Sequence, residues 1–255
     1  MNKNYFLISC FMLLIFVCCY SYAQEFKLGL KAGTSIPNLH SDESNEISQG
    51  YESKLAENFG LIADIGISQK LSIKTGIDYS EQGGIRNGQQ PVTKLPGEFV
   101  QMLPDGTYLY ADFNNEAILN YLEVPLMGKL QFGRKMKYYI NAGPYVGFLL
   151  NAKQVTEGDS QFYLDKNGSM PLTVQGQPLP SQSFDATTDI EDDIKPTNFG
   201  ITGGVGLGYG LNNKNSLVLD ARVAYGLNPI QKDTSANGNS RTGGIFLTMG
   251  YMFTL

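Results

Sequence analysis

The feature that most constrains this sequence is an alternation of apolar and polar side chains that recurs along nearly the whole chain. Successive side chains of a β-strand point to opposite sides, so a period of two predicts strands with one apolar and one polar face. Eight segments show this pattern. They are residues 25–33, 58–68, 71–81, 118–132, 137–150, 198–211, 216–227 and 242–255.

The length of these segments favours a membrane barrel over a soluble sheet. They span about 9 to 15 residues, whereas soluble strands typically have about 5 or 6 and a tilted strand needs about 9 to 11 to cross a bilayer. After residue 23 no stretch approaches the roughly 18 consecutive apolar residues of a spanning helix. A sheet in lipid must close on itself, because lipid offers no partner for an open edge.

The connections between the predicted strands alternate between short and long. Short turns fall near Gln69, at residues 133–135 and at 212–215, and long connections cover about 34–57, 82–117, 151–197 and 228–241. Short periplasmic turns and long extracellular loops are typical of outer-membrane barrels. Residues 24–255 are therefore predicted to form an all-β fold, an eight-stranded antiparallel up-and-down transmembrane β-barrel.

Aromatic residues on the apolar faces fall into two groups, one at each end of the predicted strands. Bilayer-spanning barrels carry aromatic girdles at both interfaces. The long-loop group is Phe59, Tyr79, Phe148, Phe199 and Tyr225, and the short-turn group is Phe26, Phe132, Tyr138, Tyr209 and Phe253.

The first 23 residues have the features of an export signal. Lys3 precedes a mostly apolar run over residues 6–19, and Ser21 and Ala23 are small residues at the positions that signal peptidase needs. We predict cleavage after Ala23. Acylation at Cys18 or Cys19 is an alternative, although neither follows the small residue expected there. All three cysteines lie in this segment, so the mature chain is expected to have no thiol or disulfide chemistry.

The predicted inward faces carry five basic and four acidic side chains. A barrel of eight strands has an interior that side chains can fill, and an unpaired charge there would be costly. The near balance predicts a paired network; the alternative is a selective pore or a proton path. The nine residues are Lys27, Lys31, Lys74, Lys129 and Arg222 with Asp64, Asp78, Glu123 and Asp220.

The sixth predicted strand offers almost no side-chain volume on its inward face. Alternate positions from Gly200 to Gly210 are glycine, with Thr202 as the exception. Close packing then requires large groups on the neighbouring strands, and Tyr139, Tyr145 and Arg222 are the candidates. We expect these side chains to fill the space; otherwise a narrow channel would run beside this strand.

Residues capable of catalysis or metal binding are sparse. The single histidine, His40, lies beside Ser41 and Asp42 in the first long loop, where adjacent residues seldom form a fixed triad. One histidine without cysteine argues against a zinc site, and the acidic residues of 185–193 match no calcium-loop spacing. We predict no enzymatic activity and no cofactor. Eighteen basic against 24 acidic residues after the leader argue against a nucleic-acid partner.

Two long loops contain strand-like halves around turns, at residues 104–106 and 165–168. Each half is too short to cross a membrane, so these hairpins are predicted to extend the wall beyond the lipid. Exposed apolar residues on them would suit a partner-binding surface; the alternative is a hairpin that caps the mouth. The candidate contact residues are Phe99, Met102, Tyr108, Tyr110, Phe162 and Tyr163.

The order and spacing of several short motifs resemble the PorT-like small outer-membrane β-barrel family of Bacteroidota, a porin family. The resemblance covers the whole mature chain and implies a barrel in contact with outer-membrane lipid, in a family where a few members are tied to protein secretion. One departure is the final Leu255, where many such barrels end on Phe. The motifs are Ala23-Gln24, Gly29-Leu30-Lys31-Ala32-Gly33, Tyr121-Leu122-Glu123-Val124-Pro125-Leu126, Ala142-Gly143-Pro144-Tyr145, Ala221-Arg222 and Tyr225-Gly226-Leu227.

Two functions remain open at this point. The first is a non-enzymatic barrel that binds another envelope protein or a secreted protein through its extracellular loops. The second is a small passive pore, which requires an open lumen. A soluble lipocalin-like barrel fits less well, because it would need an apolar interior and here the charges lie on the inward face.

Overall fold

A computed structural model describes residues 25–41, 46–92 and 108–255. The predicted leader, residues 1–23, and the loop residues Phe99 and Met102 lie outside these ranges. The described chain is dominated by eight long strands. They are β1 (Phe26–His40), β2 (Ala56–Gly66), β3 (Leu71–Arg86), β4 (Asn114–Gly133), β5 (Met136–Glu157), β6 (Thr197–Gly210), β7 (Asn215–Gly226) and β8 (Arg241–Thr254).

The eight strands form a closed ring. Each pairs antiparallel with its neighbours in sequence, and β1 pairs with β8 from Lys27 opposite Thr254 to His40 opposite Arg241. Closure satisfies the main-chain groups of every long strand on both sides, as lipid requires. The eight-stranded up-and-down barrel predicted from the alternation is therefore confirmed. Among the described residues, no helix has the length and apolar character needed to cross a membrane.

The barrel wall has its apolar face outside and its polar face inside, the reverse of a soluble protein. Outward side chains are apolar and exposed, for example Leu30 at 66% and Met249 at 63%, while the inward Asp78 and Asn58 are completely buried. Lipid-facing apolar residues and an inward polar face are the arrangement of a transmembrane barrel.

The aromatic residues on the outer face lie at both ends of the wall. At the long-loop end the Phe59 and Tyr79 rings stack with centroids 4.8 Å apart. At the short-turn end Tyr138 and Phe132 are about half exposed, at 54% and 49%. These positions agree with the two predicted girdles.

Several strands extend beyond their predicted limits by more than one residue, and these long extensions lie at the long-loop end. β1 continues to His40 instead of residue 33, β3 to Arg86 instead of 81, and β5 to Glu157 instead of 150. Pairing explains the difference. Pro37 lies opposite Gly244 of β8, and the end of β5 pairs both with the start of β4 and with the short strand Ala186–Asp189. The wall therefore projects beyond the apolar band and supports a layer of loops.

Candidate functional site

The lower half of the lumen, toward the short turns, is crossed by ion pairs. Lys74 of β3 pairs with Asp220 of β7, its opposite strand in the ring, and Lys129 of β4 pairs with Asp64 of β2. The Tyr139 hydroxyl donates a hydrogen bond to Asp220 Oδ2 at 2.8 Å. Both ammonium groups lie over the Tyr139 ring, 5.1 Å and 4.5 Å from its centroid. One aromatic ring and two ion pairs thus occupy the same cross-section of the barrel.

A second group of charges lies around Asp78. Lys31 Nζ donates to Asp78 Oδ2 at 2.7 Å, and Arg222 Nη1 donates to the same oxygen at 3.2 Å. The Arg222 guanidinium also lies 4.7 Å from the Phe246 ring centroid, which adds a cation-π contact. Asp78 on β3 and Arg222 on β7 come from opposite strands, so this group spans the lumen as well.

Glu123 is held by a residue that the sequence analysis did not select. Gln82 Nε2 donates to Glu123 Oε1 at 3.0 Å and to Ser80 Oγ at 2.9 Å. Gln82 lies beyond the predicted end of its strand, and for that reason its inward orientation could not be foreseen. Because β3 continues to Arg86, Gln82 is part of the strand and its side chain lies on the inward face.

Lys27 lies at the short-turn end, opposite Asp64 in the pairing of β1 with β2, and differs from the other interior charges in having a partner at the exposed rim. Its ammonium group pairs with the Glu25 carboxylate at 3.1 Å, and the Glu25 side chain is 48% exposed. Adding Glu25 to the nine predicted residues gives five basic and five acidic groups. Lys137 of β5 lines the same end of the lumen as a sixth basic group, so the charges are close to balance but not equal.

Two tyrosines cover the glycines of β6. A β-carbon at Gly206 would overlap ring atoms of Tyr139, and one at Gly200 would overlap the ring of Tyr145. Both rings are buried, at 4% and 5% exposure. The glycines thus allow the rings to lie flat on the β6 backbone, and the space beside the strand is filled from Gly200 to Gly206. Gly208 and Gly210 instead line a cavity of about 400 Å³ at the short-turn end of the lumen.

The outer end of the lumen is closed by apolar side chains. Tyr121, which is completely buried, packs in a cluster that includes Leu119 and Ile194. This apolar cluster combines residues of the wall with residues of the loops before β6 and β8. It separates the polar lumen from the loop layer. The remaining buried members of the cluster are Leu39, Ala117, Ala152 and Ile230.

The loops beyond the wall have a small apolar core of their own. Phe162 belongs to it and is only 4% exposed, so its expected role as an exposed contact residue is wrong. Its ring packs edge-on against Phe184, which stacks on Phe113 with centroids 4.7 Å apart. Burial of this ring is what allows three separate loop segments to form one layer.

The other candidate loop residues within the described ranges, Tyr108, Tyr110 and Tyr163, are partly exposed. Tyr110 and Tyr163 exchange main-chain hydrogen bonds of 2.9 Å and 2.8 Å, and Tyr108 is partly buried close to them. The Tyr110 hydroxyl donates to Glu46 Oε2 at 2.5 Å. Burial, followed by this hydrogen bond to a carboxylate, raises the pKa of Tyr110 to about 12. The phenol is therefore neutral in the physiological range and ties the first loop to the second.

Of the residues considered for catalysis or metal binding, Asp42 lies outside the described ranges, and His40 and the acidic run before β6 belong to different elements. His40 ends β1 opposite Arg241, and its ring lies 6.4 Å from the Tyr225 ring. Glu191, Asp192 and Asp193 form a short 3-10 helix before β6. Within residues 25–41, 46–92 and 108–255, no three histidine, cysteine, aspartate or glutamate residues are grouped as a metal site requires.

The closed ring and its polar interior agree with the comparison to known families. The profile of the outer membrane protein beta-barrel domain family matches residues 22–232, well over half of the chain. The chain belongs to this family. As a family member with a complete transmembrane ring, it resides in the outer membrane. No curated protein matches it significantly.

Several solved outer-membrane barrels resemble this family member at low identity. The attachment invasion locus protein Ail of Yersinia pestis is 12% identical, with a TM-score of 0.38, and the match covers 90% of this chain and 99% of Ail. Neisserial surface protein A is 12% identical, with a TM-score of 0.41 and coverages of 92% and 100%. A major outer-membrane protein of Thermus thermophilus is also 12% identical, with a TM-score of 0.43 and the same coverages. At these scores the likenesses carry no argument about function.

Proposed function

We propose that the chain is a non-enzymatic outer-membrane barrel that binds another envelope protein or a secreted protein through its extracellular loops. Export by a cleaved leader and an accessory role in surface assembly or secretion, a role that only a few members of the PorT-like family it resembles are tied to, are parts of this proposal. The observation that carries it is the filled lumen. Ion pairs between opposite strands and two tyrosine rings occupy the path that a pore would need.

The exposed apolar residues of the third long loop support a binding role. Leu164, Met170 and Val174 are 44%, 55% and 44% exposed, although they lie beyond the lipid-facing wall. Leu164 and Met170 are neighbours, because the Leu164 N–H donates to the Met170 carbonyl at 2.9 Å. Neighbouring exposed apolar side chains on a water-facing loop are typical of an interaction surface. A protein surface with its own apolar core and polar rim would cover them.

We expect loop-dependent capture of a single partner. The tagged protein is crosslinked mildly in native outer membranes, solubilised gently and purified. Wild type should retain one envelope or secreted protein in stoichiometric amount, and replacement of Leu164, Met170 and Val174 by serine should lower its recovery at least about tenfold, the equivalent of roughly 1.4 kcal/mol. Leu55→Ser is the matched control, because Leu55 is 74% exposed in the first loop. Recovery of the barrel alone from wild type would refute the proposal.

The rival function, a passive pore, makes a different prediction. A passive pore should conduct ions in planar bilayers. The filled barrel should not, so we expect no steady conductance from the wild type, because Tyr139 and Tyr145 cover the β6 backbone. The double variant Tyr139→Ala/Tyr145→Ala removes both rings and should produce discrete conductance steps. Tyr138→Ala is the control, since Tyr138 is adjacent in sequence but faces lipid and is 54% exposed. A stable unit conductance in wild type, unchanged in the double variant, would favour the pore.

A further inference from the structure

A cavity of about 430 Å³ lies between the closed outer end of the lumen and the loop layer. Its volume is in the range of small-molecule sites, which is about 300–1,000 Å³. Leu119, Ile194 and Ile230 line it and belong to the apolar cluster that closes the lumen, so the cavity is separated from the barrel interior. It lies on the long-loop side of that cluster, the side that outer-membrane barrels expose to the outside of the cell.

One side of the cavity is aromatic. Phe113, Phe162 and Phe184 all line it, and they are held in place by the stacked pair Phe113–Phe184 and the edge-on contact of Phe162. Rings fixed by mutual packing present a rigid apolar surface, which suits the flat or bulky apolar part of a ligand. This side alone would accept any small apolar molecule.

The other side is polar, and two of its side chains leave a hydrogen-bond donor and an acceptor available to a ligand. The Tyr51 hydroxyl oxygen accepts from Asn115 Nδ2 at 3.2 Å, which leaves the hydroxyl hydrogen available. Gln231 is 7% exposed, and within the described part of the chain its Oε1 has no hydrogen-bond partner. A buried acceptor without a partner costs about 1–3 kcal/mol, and a ligand N–H or O–H would remove that cost. Both residues line the cavity.

One basic and two acidic side chains line the cavity, so its charges disfavour an anion. Arg86 lines it together with Asp185 and Asp193. Arg86 Nη1 already donates to the main-chain oxygens of Glu46 and Ile47, at 3.2 Å and 3.1 Å. The Asp185 carboxylate accepts from the Gly158 N–H at 2.9 Å. Groups occupied in this way hold the loops together and leave the neutral donor and acceptor to select the ligand.

We propose that this cavity binds a small uncharged amphipathic molecule that carries a ring together with hydroxyl or amide groups. The ring packs against the phenylalanines, a donor of the ligand reaches Gln231 Oε1, and an acceptor of the ligand receives the Tyr51 hydroxyl hydrogen. This site is independent of the proposed protein partner. Loop-tip binding and small-molecule binding can succeed or fail separately.

The absence of tryptophan from the sequence provides a direct assay. Phe184→Trp places the only indole of the chain in the cavity wall, and the protein is reconstituted in lipid vesicles. The probes are 4-nitrophenyl glucoside and 4-nitroacetanilide, which are uncharged, and 4-nitrobenzenesulfonate, which is an anion of similar size. At least one uncharged probe should quench the fluorescence saturably, and the anion should bind at least tenfold more weakly.

Two variants in the Phe184→Trp background test the polar side. Gln231→Leu removes the acceptor and Tyr51→Phe removes the donor, and each should weaken binding of the uncharged probe about tenfold. Gln177→Leu makes the same change at an exposed glutamine of the same loop layer and should have no effect. Because the two variants act independently, a folding defect in one leaves the other informative; heat-dependent migration on gels identifies the folded protein.

Three results would overturn the proposal. The first is linear, non-saturable quenching by both uncharged probes, which would indicate collision or partition into lipid. The second is equal saturable quenching when the reporter is moved to the exposed loop position in Val174→Trp with Phe184 intact. The third is equal or tighter binding of the anion.

Discussion

Gly206→Ala is expected to destabilise the folded barrel by about 1–3 kcal/mol, the usual range for overpacking, whereas Gly208→Ala should leave it nearly unchanged. The two glycines lie on the same inward face of β6, two residues apart. A β-carbon at Gly206 would overlap the Tyr139 ring, and the ring cannot retreat without disturbing its hydrogen bond to Asp220. At Gly208 the nearest atoms to the new carbon, on Lys137 and Val218, are 3.8 Å away.

The measurement is urea-induced unfolding in lipid vesicles, followed by heat-dependent migration on gels. Both variants make the same chemical change in the same strand, so strand propensity cancels between them. Gly200→Ala should resemble Gly206→Ala, because its β-carbon would overlap the Tyr145 ring. Equal stability of the Gly206 and Gly208 variants would contradict the filled interior, since it would mean that Tyr139 is free to move away.

The strands could be predicted from the sequence because lipid restricts which side chains can lie on the outer face. Each outward side chain must be apolar over the width of the bilayer, and the alternation is therefore strongest where the strands cross it. Beyond the lipid this rule ends. The residues after Gly33 in β1 and after Glu81 in β3 include glycine, proline and polar side chains that look like loops, yet they continue the pairing to His40 and Arg86.

The interior residues could be assigned to a face but not to a partner. Lys74 and Asp220 are 146 residues apart and belong to opposite strands, so their contact depends on ring closure and on the relative shift of the strands. Neither ring closure nor the relative shift of the strands can be inferred from the sequence around either residue. The same limit explains Phe162: an aromatic residue beside a turn looks exposed until residues of the second long loop and a later part of its own loop cover it.

The Lys74–Asp220 pair is expected to show strong coupling in a double-mutant cycle. Lys74→Met and Asp220→Leu should each cost about 3–5 kcal/mol, because each leaves a charge buried in the lumen without its counterion. The two side chains are only 7% and 8% exposed. In the double variant both charges are gone, and the loss should be at least about 2 kcal/mol smaller than the sum of the single losses. The double variant should not regain the full stability of the wild type, because the Tyr139 hydroxyl also loses its acceptor on Asp220.

The rim pair of Lys27 and Glu25 is the matched control for this cycle. It has the same chemistry, but the Glu25 side chain is 48% exposed, so water screens it and Lys27→Met should cost no more than about 1 kcal/mol. Urea unfolding in vesicles again provides the free energies. Additive losses at Lys74 and Asp220, or a Lys27→Met loss as large as theirs, would mean that water enters the lumen and screens the buried pair. A wetted lumen of that kind would remove the main argument against a pore, so this cycle tests the proposed function as well as the packing.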